Sequence, residues 1–177
     1  MSDLYDQIFS QIYEKHKEKD CLIRVGYGAS GQAAGALDIF HWLKENIKIQ
    51  AEVRLVGSLG LSYLEPVIDI KIKGTSRVFY SNVDLEKIEE IIAEHVYKGK
   101  YVKKYAFAQK SENGEEIYNG LPELDESTPF KYQKRIVTRN FGDIDPKNIE
   151  QYILSGGYKS LDKSLNSMTS EEVLEEV

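Results

Sequence analysis

The chain has 177 residues and a formal net charge of −6 at pH 7, and 41% of its residues are hydrophobic. That length fits one domain, or one domain with an appended subdomain, and the hydrophobic fraction is sufficient for a packed core. The acidic balance argues against a nucleic-acid partner, and no apolar run approaches the roughly 20 residues of a membrane-spanning helix.

The first half of the chain predicts helices and strands in the order α-β-α-β-β-β-α. An amphipathic helix over Leu4–Tyr13 precedes a strand over Cys21–Val25, because apolar residues first recur at helical spacing and then form a short continuous run. A helix over Gln32–Asn46 and a second strand over Ala51–Val56 follow. Only one cysteine is present, Cys21, so no internal disulfide can form, and we expect a reducing, cytoplasmic compartment.

A hairpin is predicted next. Isoleucines at 68, 70 and 72 alternate with Asp69, Lys71 and Lys73, which indicates a strand with one face in water. The chain turns at residues 74–76 and returns over Val78–Tyr80, and Asp84 is placed to cap a helix. A hairpin at this point, where a second β-α-β unit would stand in a Rossmann sheet, favours a thioredoxin-like α/β fold.

Residues 1–107 form the predicted thioredoxin-like domain, and the sequence predicts two further segments after it. Residues 108–128 are a polar linker, and residues 129–177 are an extended segment followed by short helices. Asp145–Pro146 is typical of a helix start, and Thr169–Glu172 has the pattern of a capping box. The last predicted helix is still in its second turn at Val177, so we expect further sequence downstream.

The turn between the first strand and the next helix contains G-x-G-x-x-G at Gly26, Gly28 and Gly31. Backbone amides in such a turn can cradle a phosphate, so a small nucleotide- or anion-binding module using this loop is one interpretation. In a dinucleotide-binding fold, an acidic residue near the end of the second strand hydrogen-bonds the ribose, whereas Glu52 lies within that strand.

A second loop, Gly57–Ser62, changes the interpretation of the first. Together the loops resemble the cluster-binding loops of thioredoxin-like 2Fe–2S ferredoxin domains, which have Cys-x4-Cys after the first strand and Gly-Cys-x-Gly-x-Cys before a proline. The four cysteine positions are occupied by Gly26, Gly31, Ser58 and Ser62, which we call the ligand positions. The resemblance implies a degenerate ferredoxin domain, for which we expect no cluster, no metal and no catalytic residue.

The last third of the chain resembles the segment that joins such a ferredoxin domain to a flavin domain. The residues that carry this resemblance include Pro129–Phe130, Gln133–Val137, Ile144–Pro146 and Gly156–Tyr158. The parent family is the NADH-oxidising flavoprotein subunit of respiratory complex I, electron-bifurcating hydrogenases and NAD-linked formate dehydrogenases. Its glycine-rich flavin loop would begin beyond Val177, so FMN, NADH and iron–sulfur clusters are implied only for the complete parent subunit or complex.

The favoured hypothesis is a non-catalytic, cluster-less ferredoxin-like domain that acts in docking or assembly of a multi-subunit oxidoreductase. Its partners would be flavoprotein, ferredoxin-type, hydrogenase or dehydrogenase subunits. One alternative is a redox-active domain whose cluster is ligated partly by a partner chain, or which uses Cys21; the anion-binding module is another. His16, His41 and His95 lie on different predicted helices with no evident Ser or Cys partner, so nothing indicates acid–base or nucleophilic catalysis.

Overall fold

The computed structural model describes residues 3–16, 19–112, 114–127 and 130–177, and the chain forms two compact units. Residues 19–144 form one unit, which we call the sheet unit. Residues 1–18 and 145–177 form the other, the helical unit. Pro129, the first residue of the predicted third segment, lies outside the described residues, as does Thr128, the last residue of the predicted linker.

The sheet unit is built on a five-stranded mixed sheet in the order β2-β1-β3-β4-β5. Strand β1 is parallel to β2 and antiparallel to β3, and each later strand is antiparallel to its neighbour. A parallel β-α-β unit followed by an antiparallel hairpin is the topology of the thioredoxin-like fold, which confirms the predicted fold class. The strands are β1 Cys21–Gly26, β2 Ala51–Val56, β3 Ile68–Ile72, β4 Arg77–Tyr80 and β5 Ala106–Lys110.

The connection from β1 to β2 contains two helices where the sequence predicted one. Helix α1, Asp3–Lys15, belongs to the helical unit. The two helices of this connection are α2, Ala29–Ala33, and α3, Ala36–Asn46. Gly35 separates them with a φ of 92°, a left-handed conformation that glycine adopts without a steric cost. After β4, helix α4 spans Leu85–Ile91 and continues as a π-helical turn over Ile92–Val96. The Asp84 carboxylate accepts the Lys87 N–H, as its N-cap position predicted.

One face of the sheet packs against α3 and α4. Residues paired across β1, β3 and β4 share this face, since Ile23 lies beside Ile70 and Ile70 beside Val78. All three side chains are fully buried. The alternation of branched apolar residues thus predicts this core face correctly.

The other face of the sheet was predicted to be in water, and that prediction is wrong. Asp69 is 3% exposed and Lys71 is 7% exposed. Lys71 is paired with Glu115, which lies 44 residues further along the chain. Beside them a second apolar cluster contains Phe79 together with Leu124 and other residues that follow β5. The downstream segment therefore covers this face, which no local pattern could indicate.

The predicted linker is part of the sheet unit. Strand β5 pairs with β4, and the Gln109 side chain donates from Nε2 to the carbonyl oxygens of Tyr118 and Leu121, at 3.1 and 2.7 Å. Leu124 is 1% exposed. The boundary between the two units accordingly lies at residues 144–145, and not at 107 or 128 as predicted. The segment is polar in composition, but Leu121 and Leu124 within it are buried.

The helical unit contains α1 Asp3–Lys15, α5 Ile149–Leu154, α6 Lys159–Ser167 and α7 Ser170–Glu176. The Tyr5 hydroxyl donates to the Gly157 carbonyl oxygen at 3.1 Å, and Lys15 Nζ lies 2.6 Å from a Glu150 carboxylate oxygen. Helix α1 therefore belongs with the C-terminal helices, and the predicted domain 1–107 is corrected at its start.

The short helices of this unit are capped as side-chain chemistry predicts, with one shift in position. Thr169 and Glu172 form the predicted capping box of α7. Helix α5, however, begins after Asn148, whose side chain accepts the Gln151 N–H, and not at Asp145. The Asp145 carboxylate accepts the Lys147 N–H within a turn. Among the described residues, no helix combines the length and apolarity that crossing a membrane requires.

Candidate functional site

The ligand positions lie at one edge of the sheet. Gly26 is the last residue of β1, and Gly31 lies in α2 just after it. Ser58 follows β2, and Ser62 begins a short 3₁₀ turn that leads into β3. This edge contains the ends of the parallel strands β1 and β2 and the start of the antiparallel strand β3. Because these strands are neighbours in the sheet, their order alone brings the two loops together.

A buried carboxylate that no sequence motif indicates lies beside three of these positions. Glu65 is 7% exposed, and its Oε1 accepts a hydrogen bond from Ser58 Oγ at 2.8 Å. Its Oε2 accepts the Val67 N–H, also at 2.8 Å. A Cβ added at Gly26 or at Gly31 would lie 3.4 Å from the same Oε2. The carboxylate is thus bounded by Gly26, Gly31 and Ser58.

The fourth ligand position is related to this carboxylate only through the backbone. The Ser62 carbonyl oxygen accepts the Glu65 N–H at 3.4 Å, and the Ser62 side chain is exposed. A sequence signal for Glu65 did exist, since it is a lone acidic residue between Leu64 and Pro66 at the entrance to a strand. Nothing in the sequence says that its side chain turns inward.

Atoms approach closely both within the first loop and between the two loops. A Cβ added at Gly31 would lie 2.4 Å from the Gly26 carbonyl oxygen, and one added at Gly28 would lie 2.7 Å from the Ser58 Cβ. Non-bonded heavy atoms pack at about 3.5–4.0 Å, so any side chain at these glycines requires the backbone to move. A cysteine does not fit at position 31 in this backbone.

The residues present do not fit a 2Fe–2S cluster. Such clusters are held by thiolates, and the ligand positions offer two glycines without side chains and two serine hydroxyls. The chain's one thiol, Cys21, begins β1, whereas Gly26 ends it, which separates their Cα atoms by about 16 Å along the strand. Burial raises the pKa of the Cys21 thiol to about 11, so it stays protonated at neutral pH.

The loop geometry also disfavours phosphate binding. The Gly26 N–H donates to the Val67 carbonyl oxygen at 2.9 Å, and the Tyr27 N–H donates to that of Val56 at 2.8 Å. Both amides are therefore already engaged. The buried Glu65 carboxylate next to this loop would repel an anion. Strand β2 moreover leads to an antiparallel strand, and not to the second β-α-β unit that a dinucleotide fold requires.

A third segment, residues 142–144, closes over the second loop. The Gly57 N–H donates to the Ile144 carbonyl oxygen at 2.9 Å, and a Cβ added at Gly142 would lie 2.5 Å from Leu59 Cδ2. Between Gly26, Gly57 and Gly142 a cavity of about 10 Å³ remains. That volume is at most enough for one water molecule.

Buried ion pairs fasten this segment to the sheet. Arg77 is 6% exposed and donates to both carboxylate oxygens of Asp69, at 2.6 and 2.7 Å, and to the Gly142 carbonyl oxygen at 2.6 Å. It is also paired with Asp143, and Arg24 Nη1 donates to Asp69 at 2.9 Å. Burial alone would raise the pKa of Asp143, but the adjacent Arg77 lowers it below its usual range.

A second buried polar cluster lies in the π-helical turn after α4. His95 is fully buried, with Nδ1 2.9 Å from the Tyr80 hydroxyl and Nε2 3.1 Å from the Tyr118 hydroxyl. Burial lowers the pKa of His95 to about 4 and raises the pKa of Tyr80. His95 is therefore neutral at pH 7, and its partners are tyrosines and not the Ser or Cys of a nucleophilic site.

This cluster should make stability depend on pH. The pKa of His95 falls from 6.5 to about 4 on folding, so the unfolded chain binds a proton that the folded chain excludes. The contribution of His95 to the free energy of unfolding is therefore fully present above the pKa of the unfolded chain, and it is lost as the pH falls toward the pKa of the folded chain. We expect a loss of about 2 kcal/mol between about pH 7 and about pH 5, measured by urea unfolding. A His95→Gln variant should lack this dependence, and an unchanged dependence in it would show that another group titrates.

Comparisons with known proteins concern the fold. No protein-family model matches the chain. The wild-type thioredoxin-like 2Fe–2S ferredoxin from Aquifex aeolicus, at 1.5 Å resolution, is 17% identical, with a TM-score of 0.44 over 51% of this chain and 99% of that one. Another structure of a thioredoxin-like ferredoxin from Aquifex aeolicus is 17% identical, with a TM-score of 0.46 over 55% and 98%. A cysteine-to-serine variant at 1.05 Å is 19% identical, with a TM-score of 0.43 over 50% and 98%.

Proposed function

We propose that this chain is a non-catalytic, cluster-less ferredoxin-like domain that acts in docking or assembly of an NADH dehydrogenase-type electron-transfer complex. One observation carries the proposal: the Glu65 carboxylate lies against Gly26, Gly31 and Ser58, where the resemblance to ferredoxin domains expects cluster ligands. This chain alone then contributes neither a redox centre nor a catalytic residue to the complex.

Hydrogen bonds around Glu65 can take the structural place of a cluster. Four thiolate bonds join the two loops in a cluster-binding domain. Here Ser58 Oγ and the Val67 N–H both donate to one buried carboxylate within the second loop, and the Gly26 N–H of the first loop donates to the Val67 carbonyl oxygen at 2.9 Å. Hydrogen bonds to a charged group contribute about 1.5–3 kcal/mol each. The fold can therefore persist without metal, which suits a domain retained for its surfaces.

The proposed partners are flavoprotein, ferredoxin-type, hydrogenase or dehydrogenase subunits in the cytoplasm. This part of the proposal is supported by the resemblance of residues 133–137, 144–146 and 156–158 to the segment that precedes a flavin domain. FMN and NADH would bind to the parent subunit or its partners, and no residue of this chain is assigned to them.

Anaerobic reconstitution with ferrous iron and sulfide tests the loss of the cluster. We expect the full chain to remain colourless, with no visible charge-transfer absorption and no stoichiometric iron after desalting, because it lacks thiolate ligands at the site. A thioredoxin-like ferredoxin with four cysteine ligands, treated in parallel, is the positive control. Stoichiometric iron and sulfide on this chain alone would contradict the proposal.

Affinity purification of the tagged chain from its native cells tests the docking role. We expect it to elute with a flavin-containing subunit and with NADH-dependent dye reduction, and the tag alone serves as the control. A chain that elutes as a lone monomer in native extract would contradict the proposal. Stoichiometric iron in the complex that disappears when the chain is separated would instead favour a cluster ligated partly by the partner.

A further inference from the structure

The whole net charge of the protein resides in the helical unit. Its two segments, residues 1–18 and 145–177, contain 11 Asp and Glu against 5 Lys and Arg, whereas the sheet unit contains 18 of each. The helical unit is also the smaller of the two. Its surface potential is therefore negative, while the sheet unit is balanced.

The same unit has an apolar groove between α1 and α6. Leu4 and Ile8 line it from α1, and Leu161 and Leu165 line it from α6. Each pair is spaced four residues apart, so its members lie on one face of their helix. Leu4 is 66% exposed, Leu161 50% and Leu165 75%. The groove has a volume of about 430 Å³, and Tyr5 and Ile153 are among its other lining residues.

Acidic charge is found in the groove and elsewhere in the same unit. Asp162 is among the lining residues of the groove, next to Leu161. The helix that follows α6 adds four exposed glutamates, Glu171, Glu172, Glu175 and Glu176. A ligand entering this groove therefore meets the Asp162 carboxylate and approaches a unit with an excess of acidic residues.

We propose that this groove binds an amphipathic helix of a partner protein, with lysine and arginine flanking its apolar stripe. Helices bind grooves through apolar anchors at positions i, i+3 or i+4, and i+7, which matches two facing rows of leucine and isoleucine. Basic flanks complement the acidic unit, whereas a second copy of this chain would bring two units of net charge −6 together. The groove lies in the helical unit and the ligand positions lie in the sheet unit, so this proposal does not depend on what the ligand positions bind.

Fluorescence anisotropy with the full chain tests this inference. The probe is a fluorescein-labelled synthetic peptide with leucine at helical positions i, i+3, i+4 and i+7 and lysine elsewhere. We expect micromolar binding that weakens at least about tenfold in the Leu161→Gln/Leu165→Gln double variant. Both leucines are half exposed or more, so the variant should fold, which circular dichroism can check.

Two matched controls separate the groove from simple charge attraction. Leu174→Gln changes a leucine on α7 that is 78% exposed and not among the lining residues, and it should leave the affinity unchanged. A peptide of the same composition with scrambled leucines should bind at least about tenfold more weakly. The inference fails if the probe does not bind, if the scrambled peptide binds equally well, if both protein variants behave alike, or if the groove proves to be covered in a dimer.

Discussion

Replacing Arg77 with methionine is expected to lower the free energy of unfolding by about 3–5 kcal/mol. Arg77 is almost fully buried and donates to both oxygens of Asp69 as well as to Gly142 and Asp143. Methionine fills much of the space but leaves the buried carboxylate of Asp69 with Arg24 as its remaining cationic partner. The loss should be larger than that from any exposed ion pair of this chain.

Urea unfolding of wild type and variant measures this difference. Lys98→Met is the matched control, because the pair of Lys98 and Glu94 is exposed, at 59% and 36% of their side-chain surface. Exposed pairs of this kind contribute about 0.3–0.5 kcal/mol. Equal effects of the two substitutions would show that the buried network does not fasten residues 142–143 to the sheet.

Replacing Phe79 with alanine should cost a similar amount, about 3–5 kcal/mol, because a large cavity would form in a fully buried site. Phe79 lies on the sheet face opposite α3 and α4, in one cluster with Leu124 and Phe130. Its ring centroid is 6.1 Å from that of Phe107. The substitution therefore weakens the contact that holds the segment after β5 against the sheet.

Two measurements distinguish this effect from a general loss of packing. Urea unfolding gives the free energy, and hydrogen exchange should show loss of amide protection over residues 114–127 before the strands β1 and β3 are affected. Phe141→Ala, at a residue that is 46% exposed, is the control and should cost less than about 1 kcal/mol. Unchanged protection of residues 114–127 in Phe79→Ala would contradict this account.

Local sequence features determine much of the fold. Alternating apolar residues predict β3 and β4, and side-chain oxygen atoms at Asp84 and Thr169 predict the starts of α4 and α7. These features succeed because each depends on residues within one turn or one strand of each other. The observed strand order brings the two loops of the site together, since the ends of β1 and β2 share one edge of the sheet.

The sequence does not reveal where distant segments pack. The polar composition of residues 108–127 predicts a linker, yet these residues supply most of strand β5, the partner of Lys71 and the buried Leu124. Asp69 and Lys71 read as exposed for the same reason. In each case the residues that bury these groups lie tens of positions away in the chain. The periodicity of a strand shows that its two faces differ, but it does not show what covers either face.

By itself the sequence predicted a thioredoxin-like α/β fold and established that the loops after β1 and β2 contain no cysteine. Only the tertiary structure decided that Glu65 turns inward to meet Gly26, Gly31 and Ser58, and that residues 142–144 close over the second loop. The physical reason is that a missing side chain can be read from the residue type. What fills the space depends on backbone approach and hydrogen bonding between segments far apart in the chain.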